Sequence, residues 1–167
     1  MLDVAEERAQ AAMGRWEARS LGVVRAEAAA EFARAAGDTA PALVDPADPA
    51  FVVHPMYLVS LLRPEPGAGP GTEPGAEPGE LRPDGMYRDE VPGTDGLDVR
   101  LMAGGQAVRW IGEVRVGDRV EVRRAVTAVD RKRPDLLLIT VEKTYAAERG
   151  PLVEVTLIEV TERFIVR

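Results

Sequence analysis

The chain has 167 residues, no cysteine, one histidine, 46% hydrophobic residues and a formal net charge of −7. That length and apolar content suffice for a single core, while the missing cysteines exclude disulfides, thiolate metal sites and a cysteine nucleophile, and one histidine excludes a histidine-rich metal centre. The acidic balance argues against a nucleic-acid partner, which needs a positive face, and no apolar run approaches the roughly 20 residues of a membrane span.

The start, Met1 to Glu7, is acidic and does not read as a signal peptide, so a cytoplasmic location is expected. Asp3 to Met13 lacks Pro and Gly and predicts a short helix, with Gly14 as its stop. Trp16 to Val24 reads as extended. Ala26 to Ala36 is rich in Ala and Glu and predicts a second helix, ended by Gly37, with Phe32, Ala28, Ala29 and Ala36 on one apolar face. Asp38 then falls just beyond a helix C-terminus, where a bend can turn it into a cleft. Pro41, Pro46 and Pro49 mark residues 39–50 as loop. Met56 to Leu62 predicts a short buried helix with Pro55 in its first turn. Residues 64–83 are nearly pure Pro, Gly, Glu and Ala, which cannot form a core; they read as a disordered or extended surface insertion.

From Leu97 onward the pattern is that of strands. Val114 to Asp118 is a turn, Val120 and Val122 alternate with charges, and Leu136 to Val141 is a continuous apolar run suited to a buried central strand. Glu148 to Pro151 is the next turn, and Leu152 to Val166 is long enough for a bent or bulged strand. Strands joined by short turns form an antiparallel meander, covered on one face by a helix from the first zone. The class is α+β.

Two stretches carry a resemblance. Phe32-Ala-Arg-Ala-Ala-Gly-Asp38-Thr-Ala-Pro41-Ala-Leu43-Val-Asp45-Pro46, followed by Val53-His54-Pro55-Met56, resembles the signature of MaoC-like (R)-specific enoyl-thioester hydratases and dehydratases. Arg100 to Trp110 with Val114 to Asp118 resembles the FAS1-like, N-terminal-type dehydratase branch of the same superfamily. The resemblance implies one hotdog domain over residues 1–167, an antiparallel sheet wrapped around a central helix and interrupted by the insertion at 64–83. It also implies which groups are missing. Asp38 stands where the catalytic Asp belongs, but Leu43 replaces the catalytic His and Ala40 the Asn. Pro55 replaces the Gly whose N–H holds the thioester oxygen, and Pro has no N–H.

Hydration of an enoyl thioester needs a base to activate water and a donor to hold the oxygen as an enolate develops. Asp38 remains a candidate base, or else caps its own turn. His54 is matched to a structural His of the family; alternatively it replaces the missing base and pairs with Asp38. Tyr57 and Ser60 carry hydroxyls able to donate to a carbonyl, or simply pack. Met56 lies beside them. Gly104 and Gly105 permit close approach of a pantetheine arm, or form a β-bulge. Arg131-Lys132-Arg133 is a docking patch for an anionic carrier or a solvated turn, the latter favoured.

The resemblance therefore implies no metal and no cofactor, an acyl thioester of coenzyme A or acyl carrier protein as substrate, and fatty acid or polyketide metabolism as the setting. Its partner is a second hotdog domain, in a homodimer or in a heterodimer with a catalytically complete MaoC-like subunit that this chain supports. The competing readings are a non-enzymatic module that binds an acyl thioester or polyketide intermediate, and an enzyme of reassigned chemistry, cyclisation or isomerisation, using Asp38, His54 or Tyr57.

Overall fold

The computed structural model describes residues 1–61, 81–82, 86–150 and 153–167. Most of the 64–83 insertion lies outside the described residues; its end does not, because Leu81 bridges Tyr87 and Arg82 donates to the Val99 carbonyl. The elements run α1 (Leu2–Ala12), β1 (Glu17–Val23), α2 (Ala26–Ala35), α3 (Pro41–Val44), a 3₁₀ turn (Leu58–Ser60), β2 (Leu101–Trp110), β3 (Arg119–Arg133), β4 (Leu136–Glu148) and β5 (Glu154–Val166). Two differ from the sequence expectation. Residues 39–50 are not all loop, because Pro41 sits in the first turn of α3, where its missing N–H costs nothing. Residues 56–61 do not hold a regular helix; only the single 3₁₀ turn forms, ended when Leu61 turns extended, and Leu62 lies outside the described residues.

The five strands form one antiparallel sheet in the order β1-β3-β4-β5-β2. The meander β3-β4-β5 is its centre, as the apolar runs require, and β1 and β2 are its edges. Period-2 burial is clear on β4, where Leu137, Ile139, Val141, Lys143, Tyr145 and Ala147 are all turned inward and at most 2% exposed. The inward face carries two apolar clusters. One joins Val120, Val122, Tyr145, Ile158 and Val160 to Ala29 of α2 and to Val53, Tyr57 and Leu58. The other joins Val126, Leu137, Ile139, Val141, Phe164 and Val166 to Ala5 and Ala9 of α1. On α2 the buried residues are Ala29, Ala30 and Ala33, whereas Ala36 is exposed, so its packed face is turned from the one expected.

Between the clusters lies a row of charges. Arg124 (β3), Lys143 (β4) and Glu162 (β5) are all buried on the inward face. Lys143 Nζ is 2.6 Å from Glu162 and 3.6 Å from Glu90. Arg124 donates twice to Glu17 on β1, at 3.1 and 3.0 Å, and once to the Glu90 carbonyl at 3.2 Å. Gln106 on β2 donates to Glu162 at 2.8 Å. Asp89 pairs with Arg19 and lies 3.8 Å from Arg124. The segment that brings Asp89 and Glu90 down is itself core: Val91 and Thr94 are fully buried. Gly93 lets that segment pass α1, since a Cβ there would meet the Ala9 nitrogen at 2.7 Å, and its φ of +89° favours glycine.

Burial, opposed by Lys143 and reinforced by the Glu162 charge, raises the Glu90 pKa above its ordinary 4.5. The native state therefore holds the Glu90 proton more tightly than the unfolded chain does. Its contribution to stability is fully present below about pH 4.5 and is lost as pH rises through the folded pKa. Glu90→Gln should flatten that limb of the stability–pH curve in urea unfolding, without loss of midpoint at pH 7. Lys143→Met, which strands two buried carboxylates, should instead cost about 3–5 kcal/mol in the same assay.

Candidate functional site

The site is built at the end of the first apolar cluster. The last turn of α2 closes in a Schellman motif: Gly37 takes φ +91°, its N–H bonds the Arg34 carbonyl, and the Asp38 N–H reaches back to the Ala33 carbonyl at 3.0 Å. This fixes Asp38 at the mouth of the fold. The chain then passes through α3, whose Val44 carbonyl accepts from Arg34, and returns when the Val52 N–H bonds the Ala42 carbonyl at 2.8 Å. Val53, buried, anchors the return and delivers His54 to Asp38.

The two side chains meet, with Nε2 of His54 3.3 Å from Oδ2 of Asp38. Nδ1 of His54 accepts the Met56 N–H at 3.0 Å. An imidazole whose Nδ1 is an acceptor carries its proton on Nε2, so His54 presents an N–H to the carboxylate. The approach is off the hydrogen-bond line: Oδ2 is a buried acceptor without a full hydrogen bond. Both side chains nevertheless reach the surface, at 20% and 33% exposure. Phe32 packs against the imidazole (ring centroids 5.3 Å apart) and edge-on against Tyr57 (5.8 Å).

The other expected residues divide. Met56 is half-buried against the core. Tyr57 is 2% exposed and belongs to the core. Ser60 closes the 3₁₀ turn. Gly104 and Gly105 are not brought to the site. They form a bulge inside β2, between Ala103 and Gly105, six residues or about 20 Å along the strand from Trp110. A Cβ on Gly104 would meet the Arg163 carbonyl at 3.1 Å, so the close approach it serves is that of β5. The basic run is largely neutralised within the fold: Arg131 pairs with Asp3 and Glu6, and Lys132 with Asp130.

Two features escaped the sequence reading. The first is a groove of about 440 Å³ beside His54, lined by Val52, Val53, Pro55, Trp110, Gly112 and Val114. The Trp110 indole donates to the Pro55 carbonyl at 3.2 Å while half of its surface stays exposed, as do Val52 and Ile111. Trp110 ends β2, whose burial does not alternate, and only the return of the 52–55 loop reveals its neighbours. The second is Tyr145, whose hydroxyl donates to the Leu61 carbonyl at 3.1 Å and lies 3.4 Å from that of Val59. Burial first, then the charges of Glu162 and Glu90, push its phenol pKa up, so it remains a donor. No cluster of metal-ligating side chains is found among the described residues, and no helix among them is long and apolar enough to cross a membrane.

The model of the FAS1-like dehydratase domain region matches residues 11–155. No curated protein matches. Among solved structures, an (R)-hydratase from A. caviae involved in PHA biosynthesis is 23% identical with a TM-score of 0.57, over 91% of this chain and 94% of that one. A MaoC-like dehydratase from Rhodospirillum rubrum is 19% identical with a TM-score of 0.57, over 93% and 92%. The ChsH1–ChsH2 complex from Mycobacterium tuberculosis contributes a chain 16% identical with a TM-score of 0.58, over 98% and 90%. These likenesses show a hotdog fold.

Because His54 is the sole histidine, one resonance set reads the site. Long-range ¹⁵N–¹H spectra of the neutral imidazole should show the Nε2–H tautomer alone, and Asp38→Ala should leave the Met56-bonded Nδ1 unprotonated. A dominant Nδ1–H signal would contradict the geometry.

Proposed function

The chain belongs to the FAS1-like dehydratase family, a MaoC-like hydratase/dehydratase domain, and we propose that it is the supporting subunit of an (R)-specific enoyl-thioester hydratase or 3-hydroxyacyl-thioester dehydratase, paired with a catalytically complete hotdog partner. The observation that carries this reading is the backbone of residues 55–57. Pro55 has no N–H, the Met56 N–H is held by Nδ1 of His54, and the Tyr57 N–H by the His54 carbonyl at 3.0 Å. None of the three is left for a thioester oxygen. Loss of one such donor costs roughly 10²–10³ in rate, and Leu43 removes the base His that the resemblance calls for. The partner supplies both groups.

The rest of the molecule supports a role in shape. Among the described residues β2 is bonded on the β5 side only and offers a ten-residue edge, which a second sheet can extend. Its exposed Met102 and Trp110, with Ile111 just beyond, are apolar surface that a partner covers. The groove at Val52, Pro55 and Trp110 takes part of an acyl chain, carried on coenzyme A or acyl carrier protein. Two of the structural neighbours are themselves complexes, HadBC, a 3R-hydroxyacyl-ACP dehydratase, and ChsH1–ChsH2, which favours a heterodimer over a homodimer.

A second reading has one observation in its favour. Asp38 keeps a buried oxygen 3.3 Å from His54 Nε2, a carboxylate–imidazole pair of the kind that serves general acid–base chemistry in an isomerisation or cyclisation. Crotonyl-CoA hydration separates the two. The chain alone should be silent, the chain with a partner bearing an intact Asp/His motif should be active, and Asp38→Ala in the complex should change kcat by less than about threefold. Activity of the isolated chain that is lost in Asp38→Ala would establish the second reading, and thioester binding without turnover in any combination would leave a binding module. Trp110→Glu should weaken the complex, seen as a shift to smaller species in size-exclusion chromatography with light scattering.

A further inference from the structure

A second concavity, about 190 Å³, lies between α1 and β3 and shares no residue with the Asp38–His54 site. Its charged lining is unusual for a chain of net charge −7: Arg8, Arg15 and Arg124 face a single carboxylate, Glu17, over an apolar floor that includes Ala12 and Pro92. Arg124 spends three hydrogen bonds on Glu17 and the Glu90 carbonyl. Among the described residues the other two spend fewer. Arg8 makes one hydrogen bond, to the Asp95 carbonyl at 3.0 Å, and among the described residues the Arg15 side chain makes none. Arg8 is on α1 and Arg15 lies just past its end, and both line this cleft. The C-terminus of α1 disfavours an anion there; two of its carbonyls, those of Gln10 and Ala12, are engaged by the Met13 and Arg15 N–H groups, and the arginines must outweigh the rest.

We infer that this cleft binds a small organic oxyanion, a carboxylate or phosphate monoester, held by Arg8 and Arg15 with its apolar body on the Ala12–Pro92 floor. Guanidinium is the group suited to such anions, because its planar fork meets two oxygens at once. The volume, below the ~300 Å³ at which drug-sized pockets begin, limits the occupant to a few carbons. The Arg124–Glu17 pair forms the inner wall, where Glu17 repels the ligand and keeps affinity modest. This inference does not rest on the hydratase reading; it would hold for a chain with no catalytic partner.

The test uses the full chain at low ionic strength, titrated by calorimetry and by amide NMR with sodium butyrate and, separately, with glycerol 1-phosphate. Saturable one-site binding of either probe is expected, the responding probe identifying the headgroup. Arg15→Gln and Arg8→Gln should each weaken it about tenfold or more, the loss of a charged hydrogen bond. Glu17→Gln should tighten it severalfold, and Arg163→Gln, on the exposed end of the sheet, should change nothing. Three outcomes overturn the site: no saturable response to either probe, equal loss in Arg163→Gln, or weaker rather than tighter binding in Glu17→Gln with the melting temperature unchanged.

Discussion

The sheet of this protein can close only if the charges at its centre are neutralised across it. Removing an ion from water costs several kcal/mol even after relaxation, and here Arg124, Lys143 and Glu162 are all withdrawn on one face. No two strands can satisfy them. Glu17 comes from β1, Gln106 from β2, and Asp89 and Glu90 from an irregular segment between the insertion and β2. The row therefore ties both edge strands and the covering segment to the central meander. It also fixes register, since a slip of one residue on β4 or β5 would turn Lys143 or Glu162 outward and leave its partner stranded.

The same face carries the constraint to the candidate site. Two residues beyond Lys143 on β4, Tyr145 is turned the same way, and its hydroxyl holds the carbonyl of Leu61. The segment after His54 is thus tethered from beneath while Phe32 packs on its ring from above. The Met56 amide locks the imidazole orientation, and Trp110 holds the Pro55 carbonyl. Each of these contacts makes the loop stiffer, and the Met56 bond to His54, with that of the Tyr57 N–H to the His54 carbonyl, consumes the amides that an oxyanion would need. Rigidity and oxyanion binding compete here for the same few N–H groups.

Much of this was legible in the sequence, for reasons that differ by region. The meander announced itself through period-2 alternation and the apolar run at Leu136–Val141, because a strand buried on one face has little freedom in composition. Gly37 fixed the bend before Asp38, since a Schellman turn needs a residue tolerant of positive φ. The Asp38–His54 contact was one of two open alternatives; sixteen residues of Pro-rich chain carry no distance information, and the outcome depended on the bond from Val52 back to α3. Lys143 and Glu162 offered a signal that went unused: charges of opposite sign at inward positions of adjacent strands. Their partner Glu90 offered none, because a Gly-, Pro- and Asp-rich segment reads as surface loop whether or not it is core.

Pro55, which stands where the resembling signature has Gly, has two physical consequences, and they point the same way. The donor is lost, and φ is fixed near −65°, which stiffens the loop where its carbonyl meets Trp110. A chain selected for its own turnover would suffer from the first and gain little from the second. A chain that presents a rigid wall to a neighbouring catalytic site gains from the second and needs no donor of its own. The exposed apolar surface around that wall, on Val52, Trp110 and Ile111, is costly in water at about 25 cal/mol per Å² and becomes favourable once a partner or an acyl chain covers it. On the reading proposed above, the missing donor and the uncovered apolar rim are effects of one arrangement, in which the chain would shape a site whose chemistry lies across an interface.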